Sequence, residues 1–406
     1  MSRRQSDTSG RLSASETAGA IEAPGALASL ASQARSSSRL ALDTEFMGEG
    51  RYRTLLCLVQ LAIADDTTGL RIELVDPLRE DLDGTPLADA LADPAIEIVV
   101  HAGRQDVALV RRRFGAEVRG VFDTQVAAGF AGMAAQSSYE ALLSQLLGVR
   151  VSKSASFTRW DARPLSREQL AYAREDVVHL LELSAELQRR LTALGRLEWA
   201  RQECAALESS SDVRDLDAVF ARLPRVRGLS AVSQAVAREL VEWRERTAAA
   251  ADRPVQSVLS DAILVEIAKR RPANTGALEQ IRGVAQSSTR RRAAEVLQAV
   301  RDGSERPHKP LEPQARGAAP DAADAPLVAL AEALVRARTR EADLAYELVA
   351  SRADLQTIVG AMRDGASEPD VRTLKGWRRE LIGAELLELL DGRVSLSVSR
   401  GKLQIG

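Results

Sequence analysis

Strand signals alternate with helix signals up to about Leu194 and vanish from about Asp215 onward. No other feature of the chain constrains its fold as much. Leu40–Asp43 reads as a short buried strand and Leu55–Ala64 as a longer apolar one. Leu70–Val75 alternates and stops at the Asp76-Pro77 turn signal, and Ile96–His101 is a further buried strand. Asp106 lies early in a helix running toward Phe114, and Met133–Gly148 and Ser166–Leu194 read as helices. Ser166 and Gln169 have the spacing of a capping box. Interleaving of this kind predicts an α/β sandwich built on a mixed sheet, spanning 36–205.

The later half reads as helix alone. Val232–Arg246 carries apolar residues at helical spacing, Arg253-Pro254 breaks the pattern, Leu259–Arg270 resumes it and Pro272 stops it. Leu278–Gly283 and Ala293–Val300 complete a small all-α unit over 213–300. Pro307, Pro310, Pro313 and Pro320 mark a linker over 301–324, and a second helical unit is expected over 325–406. The Ser-, Ala- and Gly-rich residues 1–35 read as a disordered tail, because no apolar segment follows Arg3 and Arg4 as a signal peptide needs.

Composition narrows the setting. Aromatic residues make up only 3% of the chain, so its cores are built from Leu, Val and Ala. Cys57 and Cys204 give neither a disulfide framework nor zinc spacing, which suits a reducing cytoplasm. No apolar run approaches the roughly 18 residues of a membrane span, so no membrane partner is expected. The net charge of −2 hides an asymmetry: 36–205 holds 20 Lys and Arg against 25 Asp and Glu, and 216–300 holds 14 against 9. An acidic half beside a basic half fits a metal-dependent domain joined to one that binds a polyanion.

The candidate chemistry lies in acids at the ends of apolar runs. Asp43 and Glu45 are two apart on a strand and share a face. Tyr172 and Asp176 are four apart on a helix and share one too. With Asp106 these acids would repel and raise one another's pKa, and divalent cations bound by hard oxygen ligands resolve that conflict. Acid clusters of this type underlie two-metal phosphodiester cleavage.

The same segments resemble the exonuclease motifs of the DEDDy family. Asp43-Thr44-Glu45 is followed by Leu56-Cys57-Leu58-Val59-Gln60-Leu61, then by His101-Ala102-Gly103-Arg104-Gln105-Asp106 and Phe122-Asp123-Thr124-Gln125. Ala162-Arg163-Pro164-Leu165 and Tyr172–Asp176 close the series. Taken whole, the chain resembles the ribonuclease D family. Leu240–Arg246 through Leu278–Val284 resembles an HRDC domain, and Leu374–Gly383 more loosely a second, divergent one. The resemblance implies a ribonuclease-H-like exonuclease domain followed by two HRDC-type helical domains. It implies a hydrolytic 3′→5′ exoribonuclease that releases nucleoside 5′-monophosphates. Two cations, Mg2+ or Mn2+, would be held by Asp43, Glu45, Asp106 and Asp176, with Tyr172 orienting the water. The implied substrate is RNA with a single-stranded 3′ end, tRNA precursors above all, and a monomer is expected.

Other residues read more plainly. His101 is expected to be structural, His179 to serve packing and His308 to lie in the linker, so no histidine stands as general base. Glu175 points away from the acids, and Asp123 caps the helix after it. Gly48 and Gly50 make 47–54 a flexible loop near the substrate 3′ end, where family members carry arginines and a Tyr-Pro pair. Two alternatives stay open: a DEDDy exonuclease acting on DNA, and an inactive nucleic-acid-binding protein.

Overall fold

The computed structural model describes residues 25–151, 159–284, 291–306 and 323–406. Helix α1 (Ala26–Ser37) leads into β1 (Arg39–Met47), β2 (Leu55–Asp65), β3 (Gly69–Val75), α2 (Thr85–Ala92), β4 (Glu97–Val100), α3 (Arg104–Phe114) and β5 (Val121–Asp123). Then come α4 (Thr124–Phe130), α5 (Tyr139–Leu142) running into a π turn, α6 (Arg167–Val178), α7 (Leu180–Ala193) and α8 (Leu197–Ala205). The sheet order is β3-β2-β1-β4-β5. β1 is antiparallel to β2 and parallel to β4, so the sheet is mixed, as expected.

Strand alternation sends the two sides of β1 to different layers. Leu40 and Leu42 pack with α1, α2 and α3 through Leu27, Leu87 and Val107. Ala41 faces the other way, with Ala62 and Val99 under Val177 and Leu180 at the α6–α7 junction. Asp43 and Glu45 continue that second face, so β1 delivers both acids beneath α6.

The second unit comprises α9 (Leu216–Ala221), α10 (Ala231–Ala250), α11 (Val255–Val258), α12 (Asp261–Arg270), α13 (Thr275–Glu279) and α14 (Ala293–Glu305). Phe220, Leu240, Leu264, Ile267, Leu278 and Val296 form its own core. Arg244 is 1% exposed there and is held by Asp261 at 2.6 Å and the Leu259 carbonyl at 3.1 Å.

The third unit comprises α15 (Ala325–Glu341), α16 (Tyr346–Val349), α17 (Arg352–Arg363), α18 (Gly376–Arg378), α19 (Ala384–Leu390) and a hairpin of β6 (Leu396–Ser399) and β7 (Lys402–Ile405). It has no separate core. Val328, Leu334, Leu355 and Leu386 belong to one cluster with Phe130, Leu183 and Leu187 of the first domain. Trp377 stacks on Trp199 at 5.3 Å and meets the Phe130 ring edge-on at 5.0 Å. Arg378 grips both Glu203 oxygens, at 2.6 and 2.7 Å.

Several expectations need correction. The tail expected over 1–35 ends before Ala26, because Leu27, Leu30, Ala31 and Ala34 give α1 a buried stripe at helical spacing; residues 1–24 lie outside the described residues. Of the expected linker 301–324, residues 301–305 belong to α14, and 307–322 lie outside the described residues. The single helix over Ser166–Leu194 is two helices that part at His179. The chain after Asp215 is not free of strands, since β6 and β7 pair antiparallel. Among the described residues no helix is long and apolar enough to cross a membrane.

Candidate active site

Three elements bring the acids together. β1 supplies Asp43 and Glu45, and its register with β2 shifts after Glu45, leaving Phe46 40% exposed at the strand exit. Between the two acids Thr44 faces the opposite layer, and its hydroxyl donates to the Asp106 carboxylate of α3. That contact ties α3 to the exit of β1.

The start of α3 is fixed by Asp123. Its carboxylate accepts from the backbone of Ala102 at 3.0 Å and Gly103 at 2.9 Å, and from Gln125 N at 2.8 Å as the cap of α4. Gly103 is required here, because a Cβ would stand 2.5 Å from the Val100 side chain. The turn places Asp106 in the first helical turn of α3, only 7% exposed.

α6 is set by its entry. Arg163 bonds Asp76 at 2.6 and 2.7 Å, the Cys57 carbonyl at 2.7 Å and the Trp160 carbonyl at 2.8 Å. The Ser166–Gln169 capping box then starts the helix. Ala173 and Val177 pack down onto the sheet, which turns Tyr172 and Asp176 toward the β1 acids. The Tyr172 hydroxyl donates to Asp176. Its ring sits with Trp160 at 6.1 Å, in a cluster that includes Met47 and Leu55.

The electrostatics show convergence. Burial raises Asp43 well above the usual carboxylate range, and the charges of Asp106, Asp176 and Glu45 raise it further. Glu45 is pushed up to about 8 by burial, then by Asp176 and Asp106. Asp106 rises to about 6 through burial, opposed by the Thr44 hydroxyl. Asp176 rises to about 7 through burial, then through Glu175 and Glu140, opposed by Tyr172. The Tyr172 phenol is raised by burial and by the charges of Asp176, Glu45 and Asp43, so it keeps its proton at neutral pH. The acids stand as an open set: among the described residues no three His, Cys, Asp or Glu side chains close around one point. A donor set of oxygens, with charges that oppose one another in a partly buried site, suits a hard divalent cation.

The histidines sit apart from this chemistry. His101 Nδ1 lies 2.9 Å from the Thr124 hydroxyl, its ring tilts against Tyr139 at 5.6 Å, and burial lowers its pKa. His179 stands between α6 and α7, 3.6 Å from Glu182. His308 lies outside the described residues. Glu175 is exposed.

The loop after β1 is contacted from outside itself. Tyr52 donates through its hydroxyl to Glu245 of α10 at 3.0 Å and through its backbone to Asp252 at 3.2 Å. Arg51 pairs with Asp252 at 2.7 Å, and Arg112 of α3 bonds the Thr54 carbonyl and Asp212. Contacts from outside the loop thus offset the freedom that Gly48 and Gly50 confer. Sequence reading missed Thr44 and Arg163 as supports of the site. Strand alternation alone marks Thr44 as facing away from its neighbours.

Comparison with known proteins fits this geometry. Residues 20–192 match the 3′-5′ exonuclease family and residues 233–300 the HRDC domain. A curated ribonuclease D from Gluconacetobacter diazotrophicus is 38% identical over 361 residues, covering 88% of this chain and 89% of its own. One from Acidiphilium cryptum is 35% identical and covers 95% and 96%. The chain belongs to the ribonuclease D family. The crystal structure of Escherichia coli RNase D, described as an exoribonuclease involved in structured RNA processing, superposes with a TM-score of 0.76 at 28% identity, over 92% of this chain and 98% of that one. The catalytic core of RRP6 from Trypanosoma brucei gives 0.52 at 25% identity, over 68% and 77%. As a member of this family, the protein is a hydrolytic 3′→5′ exoribonuclease that binds RNA and depends on divalent metal.

Proposed function

We propose that Asp43, Glu45, Asp106 and Asp176 hold two divalent cations, Mg2+ or Mn2+, and that Tyr172 positions the attacking water. The observation that carries this reading is the electrical convergence on Asp43 and Glu45 of β1, each raised by the charges of Asp106 from α3 and Asp176 from α6. When bound, the cations acidify the water and offset charge on the phosphate and on the leaving oxygen. Tyr172 holds its own proton, so it orients the water through its oxygen while donating to Asp176. Water oxygen bonds to the last phosphorus, and the bond from phosphorus to the preceding 3′ oxygen breaks. That oxygen takes up a proton, the water gives one to solvent, and a nucleoside 5′-monophosphate leaves.

The helical units present the RNA. A cavity of about 510 Å3 in the second unit is lined by Arg253, Arg291 and Arg292 beside Ser257 and Glu295. Phosphates of a structured RNA body suit such a site, and its single-stranded 3′ end would run to the acids. A tRNA precursor with a 3′ extension is the proposed substrate, and a cytoplasmic monomer the proposed state. The two cysteines are buried and free, which agrees with a reducing compartment.

The test is magnesium-dependent release of 5′-monophosphates from RNA and DNA oligomers of one sequence and from a 3′-extended tRNA precursor. The reading predicts release from both RNAs, with the precursor trimmed to a defined end. Equal rates on the DNA oligomer, or nucleoside 3′-monophosphates as product, would contradict it.

A further inference from the structure

Gln60 is an anomaly in the floor of the site. It is fully buried on β2, and neither its amide oxygen nor its amide nitrogen has a hydrogen-bond partner. Buried side-chain amides are paired in the great majority of folded proteins, so an orphaned one calls for a physical reason. A sheet interior offers an easier solution, since an apolar residue of similar size would leave nothing unsatisfied.

The register supplies the reason. Gln60 stands directly opposite Asp43 on β1 and opposite Leu74 on β3. Leu58 and Ala62 flank it on the same face of its own strand. Leu58, Ala62 and Leu74 are all apolar and at most 1% exposed, so Asp43 is the one polar side chain among these four neighbours. Directly opposed residues on antiparallel strands have Cβ atoms about 4.5–5.5 Å apart, a span that a glutamine side chain covers. α6 lies over the same face, with Ala173 against Leu58 and Leu74 and Val177 against Ala62.

We propose that Gln60 is a positioning residue for the metal site. In the metal-bound protein its amide N–H would donate to the Asp43 carboxylate, a bond absent from this structure, and would fix the direction in which that carboxylate offers its lone pairs to a divalent cation. Carboxylate ligands are commonly held in this way by a group behind them, and removing such a group weakens metal affinity about 10–100-fold. The role rests on the reading of Asp43 as a ligand. Gln60 is fully buried, so it acts through Asp43 and not on the substrate.

The experiment is calorimetric titration of Mn2+ into the full chain without RNA, for wild type, Gln60→Met, Gln60→Leu and Asp43→Asn. Met has the length of Gln and packs in an apolar layer without donating. The expected result is a Gln60→Met protein with an unchanged or raised metal-free Tm and an affinity for Mn2+ about 10–100-fold weaker. Gln60→Leu should behave alike. Turnover at saturating Mn2+ should largely recover, with the KM for a short RNA unchanged. Affinity within about twofold of wild type in the Gln60 variants, with Asp43→Asn strongly weakened, would overturn the role of Gln60 alone. Undiminished affinity in Asp43→Asn would instead overturn the ligand assignment and the role of Gln60 with it. Failure of both Gln60 variants to fold would also overturn the proposal, because the amide would then serve the fold rather than the metal.

Discussion

At the scale of single residues, burial and like charge act in the same direction on the acids. Glu45, Asp176 and Asp106 stand at about 8, 7 and 6, against an ordinary carboxylate value of about 4. Between those limits the folded chain binds more protons than the unfolded one, so stability falls as pH rises. Without metal, Tm should therefore decline from about pH 5 to pH 8. A divalent cation supplies the missing countercharge, so Mg2+ should raise Tm more at pH 8 than at pH 5. Melting curves at several pH values, with Mg2+ and with chelator, check both slopes; a metal-free Tm that climbs across this window would contradict the mutual repulsion. Tyr172→Phe keeps the ring in its cluster with Trp160 and removes only the hydroxyl. Turnover should fall about 10²-fold, the scale of losing one positioned hydrogen-bonding group, with little change in RNA affinity. Equal losses in binding and turnover would make Tyr172 a packing or stacking residue. The five candidate site residues were legible because each sits on a simple period: two along β1, four along α6, the first turn of α3. Thr44, Asp123 in its grip on residues 102–103, and Gln60 were not, because each depends on what an adjacent strand or helix brings opposite it.

At the scale of elements, local pattern revealed the strands that carry the site and missed those features with weak contrast. α1 has a regular buried stripe, but Ser and Ala around it dilute the apolar signal. The β6–β7 hairpin has short strands, and its turn rests on positive φ at Arg400 and Gly401, the conformation of a type I′ turn, with Arg in place of the usual Asn or Asp. The glycines of 48–54 suggested flexibility by themselves; their restraint comes from residues about 200 positions away in sequence, such as Glu245 and Asp252. Tyr52→Phe tests that brace. A side-chain hydrogen bond to a carboxylate contributes about 1.5–3 kcal/mol, roughly 10- to 150-fold in a local opening equilibrium. Amide exchange over 48–54 should speed up by about that factor, while the second unit's own amides stay unchanged. Unaltered exchange would show that the Arg51 and Arg112 contacts hold the loop without Tyr52.

At the scale of the molecule, the third unit is structurally part of the exonuclease domain. Phe130, Leu183 and Leu187 lie in one buried cluster with residues of α15, α17 and α19. Composition placed a linker before this unit and so suggested an appendage, because sequence patterns show where helices are but not whose core they fill. Trp377→Ala should cost about 3–5 kcal/mol, the range for a large aromatic removed from a packed core, and should lower the melting transition of the exonuclease domain with it. A separate, unchanged exonuclease transition in calorimetry would contradict the shared core. The second unit differs, since it has its own core and meets the catalytic domain through the Tyr52 ring packed on that core and through polar contacts at Tyr52, Arg51 and the 212–214 connection.

The proposed hydrolytic centre needs Asp43, Glu45, Asp106, Tyr172 and Asp176 to act as one unit. Single-turnover release of 5′-monophosphate from a 3′-labelled RNA in Mg2+, by wild type and by Asp43→Asn of equal or higher metal-free Tm, tests it most directly. The variant removes one charge from the convergent set and should leave the fold intact. The prediction is loss of release by at least about 10³-fold, approaching the scale of removing an essential catalytic group. Near-normal release by the folded variant would contradict the assignment of the centre.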